Sequence, residues 1–127
     1  MKLLVFAIII ALSSAFVCPT TNGAEFFFES NRHKFPDTHA GIELKHSYPF
    51  TNVGTEPLII TEYKVACSCT KIEFPKEPIL PGKTGDIKLS FDTNGKYGLQ
   101  NRKIELYSNA NKSPFELSFK VYVIPKD

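Results

Sequence analysis

From residue 42 onward the apolar positions recur at every second residue. Ile42, Leu44, His46, Tyr48 and Phe50 alternate with Glu43, Lys45, Ser47 and Pro49. A period of two turns one set of side chains to a core and the other to water, which is the pattern of a half-buried strand. Pro49 has no N–H to give to a ladder and falls on the outer register. Leu58 to Thr61 is a denser apolar run that continues through Tyr63 and Val65, and predicts a more deeply buried strand. Ile72 to Phe74 predicts a short extended piece. Ile87, Leu89 and Phe91 alternate with Lys88 and Ser90, and Ile104 and Leu106 with Lys103, Glu105 and Tyr107. In the last strand Phe115, Leu117, Phe119, Val121 and Val123 alternate with Glu116, Ser118, Lys120 and Tyr122. Phe26-Phe27-Phe28 cannot place three rings on one sheet face. The run predicts a central strand buried on both sides or, as the alternative, an exposed edge that pairs with a partner strand.

The segments between these runs carry turn chemistry. Asn52-Val53-Gly54 and Asn94-Gly95 read as turns, and Ser108 to Pro114 as a polar loop. Pro75 to Gly85 contains Pro75, Pro78, Pro81, Gly82 and Gly85 and excludes a helix. Pro81-Gly82 suits the two central positions of a type II turn, where Gly supplies the positive φ. Turn signals recur about every ten residues and delimit about seven antiparallel strands. Strands with one apolar face are buried when two sheets pack face to face, so the expected fold is an all-β, immunoglobulin-like β-sandwich. The chain has no Trp and lacks the Cys spacing of antibody domains, so Phe, Leu, Ile and Val must fill the core.

The N-terminus follows a different pattern. Lys2 precedes an unbroken apolar run from Leu3 to Leu12, then Ser13-Ser14-Ala15. This reads as a secretory signal peptide. The apolar stretch through Val17 falls short of the about 20 residues of a membrane span. Residues 1–24 are assigned to the leader and residues 25–127 to the sandwich domain, with cleavage expected between Ala15 and Glu25. Cys18 is a candidate lipidation site that would tether the mature protein. The bulky Phe16 and Val17 before it favour the alternative, a cysteine discarded with the leader. The expected location is extracytoplasmic: periplasmic, secreted, or lipid-anchored through Cys18.

Composition narrows the function classes. Of 127 residues, 43% are hydrophobic and 22% charged, as in ordinary globular domains. Without Lys2 the chain carries 14 basic and 13 acidic groups, a net of +1. That balance, without any basic run, excludes a nucleic-acid groove. Membrane contact is expected only if Cys18 carries a lipid.

One constellation bears chemistry, Cys67-Ser68-Cys69. Exported thiol pairs tend to oxidise. In a regular strand, residues two apart lie about 6.6 Å apart at Cα, the outer limit for a disulfide, so a bond here requires a local bend. Three readings stay open: a disulfide, two reduced thiols near a strand end, or a soft-metal site such as copper(I) on two thiolates. His33 and His39 fall in a polar region and read as solvated, whereas His46 lies on the apolar register and reads as a partly buried structural residue. The chain contains no His-x-His, His-Glu-x-x-His or Gly-x-Ser-x-Gly pattern. No catalytic residue, metal site or cofactor is expected. Asn52, Gly54, Pro81 and Gly82 are expected to shape turns.

Several of these segments fall together in a familiar order: Phe50-Thr51-Asn52-Val53-Gly54, Pro57-Leu58-Ile59-Ile60, Cys67-Ser68-Cys69-Thr70, Pro78-Ile79-Leu80-Pro81-Gly82 and Ser108-Asn109. Over residues 35–123 the chain resembles the bacterial domain of unknown function 1573 family. The resemblance implies an extracytoplasmic immunoglobulin-like sandwich akin to pilus-chaperone and sperm-protein-like domains, with no assigned function. Ser68 departs from the Gly usual between the cysteines, and Ser adopts a positive φ reluctantly. The leading expectation is a non-enzymatic extracytoplasmic binding or structural module that meets protein partners through a sheet edge. The alternative is redox or copper handling through Cys67 and Cys69.

Overall fold

The computed structural model describes residues 22–126. The signal peptide expected from the sequence, as far as residue 21, and Cys18 lie outside the described residues. The described chain forms nine strands: β1 (Phe26–Phe28), β2 (Arg32–Lys34), β3 (Thr38–His39), β4 (Glu43–Asn52), β5 (Ile60–Val65), β6 (Thr70–Glu73), β7 (Thr84–Asp92), β8 (Gly98–Ser108) and β9 (Phe115–Ile124). They make two sheets. One has the order β1-β4-β7-β6; the other has the order β2-β9-β8-β5, with β3 also on β9. The expected all-β immunoglobulin-like sandwich is the observed fold.

The two-residue period accounts for the packing. β4 and β7 pair without a break from Glu43↔Asp92 to Thr51↔Thr84. Their inner register buries Tyr48, Phe50, Ile87, Leu89 and Phe91. On the opposing sheet β8 and β9 bury Ile104, Leu106, Leu117, Phe119, Val121 and Val123. The Phe91 ring meets Phe119 edge-on at 5.0 Å between centroids, locking the sheets together at the centre. Each such side chain contributes roughly 1.5–3 kcal/mol by leaving water. The Tyr48 hydroxyl crosses the core and donates to the Ser118 carbonyl at 2.9 Å.

The alternation extends further than the sequence pattern shows at β8, which begins at Gly98. Gln100 and Arg102 occupy its inward register and mask the alternation. The Arg102 guanidinium lies over the Phe91 ring, 5.8 Å from its centroid, so its stem covers apolar surface while its charge stays near the rim.

Two regions differ from expectation. Phe26–Phe28 forms a sheet edge rather than a central strand. Phe26 and Phe28 point inward, stacked at 5.5 Å and packed against Phe115, while Phe27 is exposed. Residues 32–39, read as a polar region, hold β2 and β3, which run parallel to β9. Strands of three and two residues are too short to display a period. Ala24 is buried and bridges Ala110, the Thr55 N–H donates to the Gly23 carbonyl at 2.7 Å, and the Asn111 side chain donates to the Asn22 carbonyl at 2.9 Å.

The turn residues act as their chemistry implies. Pro81 and Gly82 occupy the centre of a tight turn closed by Lys83 N–H to Leu80 C=O at 2.9 Å, with Gly82 at φ 81°. Asn52 is fully buried. Its side-chain oxygen accepts from Glu25 N–H at 3.2 Å and Gly54 N–H at 2.9 Å, and its amide donates to the carbonyls of Glu56 and Ile79, each at 2.8 Å.

Candidate functional site

The site lies where the chain passes from one sheet to the other. β5 ends at Val65 and β6 begins at Thr70. In between, Thr70 N–H donates to Cys67 C=O at 3.1 Å and makes a turn. The turn brings the Cα atoms of Cys67 and Cys69 to 5.2 Å, closer than the about 6.6 Å of a straight strand, and their sulfurs are joined. The bend that a disulfide needs here is supplied by this turn. Ser68 fills the family's usual Gly position without strain, since among the described residues only glycines have a positive φ. The Cys69 N–H donates to Cys67 Sγ at 3.1 Å. Asp92 N–H donates to the Cys69 carbonyl at 2.9 Å and ties the turn to the end of β7. Both cysteines are half-buried, and Cys69 packs against the core.

The disulfide borders a cleft of about 550 Å³ whose lining includes Gly41, Glu43, Lys71, Ser90, Asp92 and Lys96. A second cleft of about 680 Å³ adjoins it along the outer face of β4, β7 and β6; Glu43, Lys71 and Ser90 line both. Strand register builds this face. Ser90 lies between Lys45 on β4 and Lys71 on β6, and Lys88 between Ser47 and Glu73. The Ser90 hydroxyl donates to the Glu43 carboxylate. Along the chain these residues read as a solvated exterior. Their assembly into one charged and polar face depends on cross-strand pairing that no single stretch of sequence displays.

A second juxtaposition also escapes sequence reading. His33 on β2 and His46 on β4 stack face to face, with centroids 3.5 Å apart and planes 10° apart. Phe35 meets His33 edge-on at 4.5 Å, and Tyr48 meets His46 edge-on at 4.7 Å. Partial burial lowers the pKa of both imidazoles from 6.5, and the charge of His33 lowers that of His46 further. His46 is thus the partly buried residue its register predicts, and His33 is half-buried against it rather than solvated. His39 is exposed. Among the described residues, no three His, Cys, Asp or Glu side chains converge as a metal-holding group, and no helix is long and apolar enough to cross a membrane.

Two facing sheets of antiparallel strands, with short parallel strands added on β9, define an immunoglobulin-like sandwich. The chain belongs to the family described as protein of unknown function DUF1573, which matches residues 26–123. No curated protein matches it significantly. Among solved structures it is similar to a protein of unknown function from Porphyromonas gingivalis, with a TM-score of 0.68 at 15% identity, covering 84% of this chain and 50% of that one. The chain thus spans half the length of that relative. It is also similar to a PapD-like domain of human CEP192, with a TM-score of 0.63 at 12% identity, covering 91% of this chain and 97% of that one. The VesB protease of Vibrio cholerae matches with a TM-score of 0.58 at 11% identity, covering 79% of this chain and 31% of that one. At these identities the likeness is one of fold.

Proposed function

We propose that the protein is a non-enzymatic extracytoplasmic binding module that takes a protein partner by strand addition at the free edge of β6. The observation that carries this reading is the placement of that edge beside the two charged clefts, with Lys71 lining both and Glu73 lining the larger. The other edges are less suited to pairing. β1 has three residues, β9 is covered by β2 and β3, and a register shift between Ile60 and Glu62 interrupts β5. β6 pairs regularly with β7 from Thr70 to Glu73. An edge strand turns unpaired N–H and C=O groups outward, and an added strand satisfies them. The partner segment is extended, with an acidic group facing Lys71 and a basic group facing Glu73, because complementary charges set register and speed encounter.

The leader-like N-terminus supports the extracytoplasmic part of the reading. A further parallel is the secreted serine protease VesC from Vibrio cholerae, in which the similar fold covers 23% of the chain, at 15% identity and a TM-score of 0.57. Photo-cross-linking in the native host tests the proposal, with the reactive side chain placed at Glu73 and, as the control, at Lys120 on the outer register of β9. A discrete protein adduct from position 73, lost on Lys71→Glu substitution and absent from position 120, is the expected result. No adduct at 73, or equal adducts at both positions, overturns the reading.

A further inference from the structure

We propose that Cys67–Cys69 is an exchange-active disulfide that oxidises a partner dithiol, with Cys69 as the attacked sulfur and Cys67 as the leaving thiolate. This activity goes beyond the binding reading and shares with it the compartment outside the cytoplasm and one cleft residue, Lys71.

The bond joins residues two apart in sequence and links no two strands. Cross-links that close such short loops remove the least entropy from the unfolded chain. The turn is also held without the bond, by Thr70 N–H on the Cys67 carbonyl and Asp92 N–H on the Cys69 carbonyl. The disulfide is therefore poorly placed as a brace and well placed as a reagent. Both sulfur-bearing residues line an open cleft of about 550 Å³, and Ser68 between them is exposed.

The two sulfurs differ. Cys67 Sγ accepts the Cys69 N–H at 3.1 Å, a bond that favours the charged thiolate on Cys67. Cys69 packs against the apolar core, which disfavours charge on its sulfur. The thiol of lower pKa leaves faster, so attack at Cys69 is the productive direction. Lys71 and Lys96 line the cleft and favour an incoming thiolate, while Glu43 and Asp92 line it and oppose one. Among the described residues the ion pair is Lys103–Glu116, which leaves both cleft lysines outside any salt bridge.

The chemistry balances as thiol–disulfide exchange. A partner thiolate bonds Cys69 Sγ, the bond between Cys69 and Cys67 breaks, and its electron pair becomes the Cys67 thiolate. The partner's second thiolate then attacks the partner's own sulfur in the mixed disulfide and expels Cys69 as a thiolate, which takes a proton from water. The partner dithiol has become a disulfide, and two electrons reside on the reduced pair. A second protein that carries a more oxidising disulfide reverses these steps and restores the bond.

The test uses the full mature protein with glutathione as the probe, followed by thiol trapping and mass measurement. The wild type is expected to pass between oxidised and reduced states at glutathione ratios that leave structural disulfides intact. Cys69→Ser leaves Cys67 alone and Cys67→Ser leaves Cys69 alone. The lone Cys67 is expected to alkylate at neutral pH several-fold faster than the lone Cys69, with Lys96→Gln and Lys71→Gln slowing it. The Cys67→Ser protein is expected to hold glutathione on Cys69 as a persistent mixed disulfide. A pair that stays oxidised throughout, equal alkylation of the two lone thiols, or global unfolding on reduction, read by circular dichroism, overturns the proposal. None of these outcomes bears on the cross-link at Glu73, so the two readings fail separately.

Discussion

Asn52 is the residue on which one pole of the sandwich depends. Its buried amide joins the start of β1, the turn after β4 and the chain at Ile79 through four hydrogen bonds. Asn52→Ala removes this shared partner from two N–H groups and the Glu56 carbonyl, while the Ile79 carbonyl keeps its bond from Leu58 N–H. We expect a loss of about 3 kcal/mol, read as a lower urea midpoint with unchanged slope. Asn52→Asp keeps the shape but removes the donors, and is expected to destabilise similarly. Gly54 has a separate requirement. A Cβ there would fall on the Gly23 carbonyl oxygen and lie 2.7 Å from Glu25 N. Gly54→Ala is expected to cost about 3 kcal/mol and to displace the segment before β1, read as lost amide protection at Thr55. The turn roles of both residues are legible from Asn-x-Gly. The neighbour that makes Gly obligatory is not, because residues 23–25 arrive from a distant part of the chain.

At the level of elements, the imidazole stack ties β2 of one sheet to β4 of the other. β2 has three residues and parallel pairing, so a side-chain contact matters there more than in the long antiparallel ladders. Both histidines have folded pKa values lowered from 6.5. The folded state therefore favours the neutral rings, and the unfolded chain takes up protons first as pH falls. Stability is fully present above pH 6.5 and is lost as pH falls through the lowered folded values. We expect the melting temperature to drop between pH 7.5 and 5, and to drop less in the His33→Gln/His46→Gln double variant, measured by circular dichroism. Equal slopes would show the pair to be silent. The long strands β4, β7 and β9 are legible because each holds at least three alternating apolar positions. The short strands β2 and β3 are not, since the carbonyls and amides of β9, rather than their own side chains, place them.

For the molecule as a whole, the core and not the covalent link sets stability. Loop-closure entropy for a bridge across one intervening residue is worth only about 1.5 kcal/mol. Replacing both Cys67 and Cys69 with Ser is therefore expected to leave a cooperative fold with a loss of that size or less, measured by chemical denaturation. Truncating Phe91, fully buried against Phe119, is expected to cost about 3–5 kcal/mol. The two-sheet architecture was legible because period-two runs with one apolar face can be buried only by a second sheet. The charged clefts were not, because they arise from side chains on three strands brought into register. β4 runs between two landmarks of the fold. Its last residue, Asn52, pairs with Phe26 close to where the N-terminal segment joins the fold, and its first residue, Glu43, pairs with Asp92 beside the disulfide turn. Ten strand residues separate those ends by about 30 Å. Any anchorage through the N-terminus accordingly makes the sandwich a stalk, with the sulfur-bearing turn as its distal tip, facing whatever diffuses past.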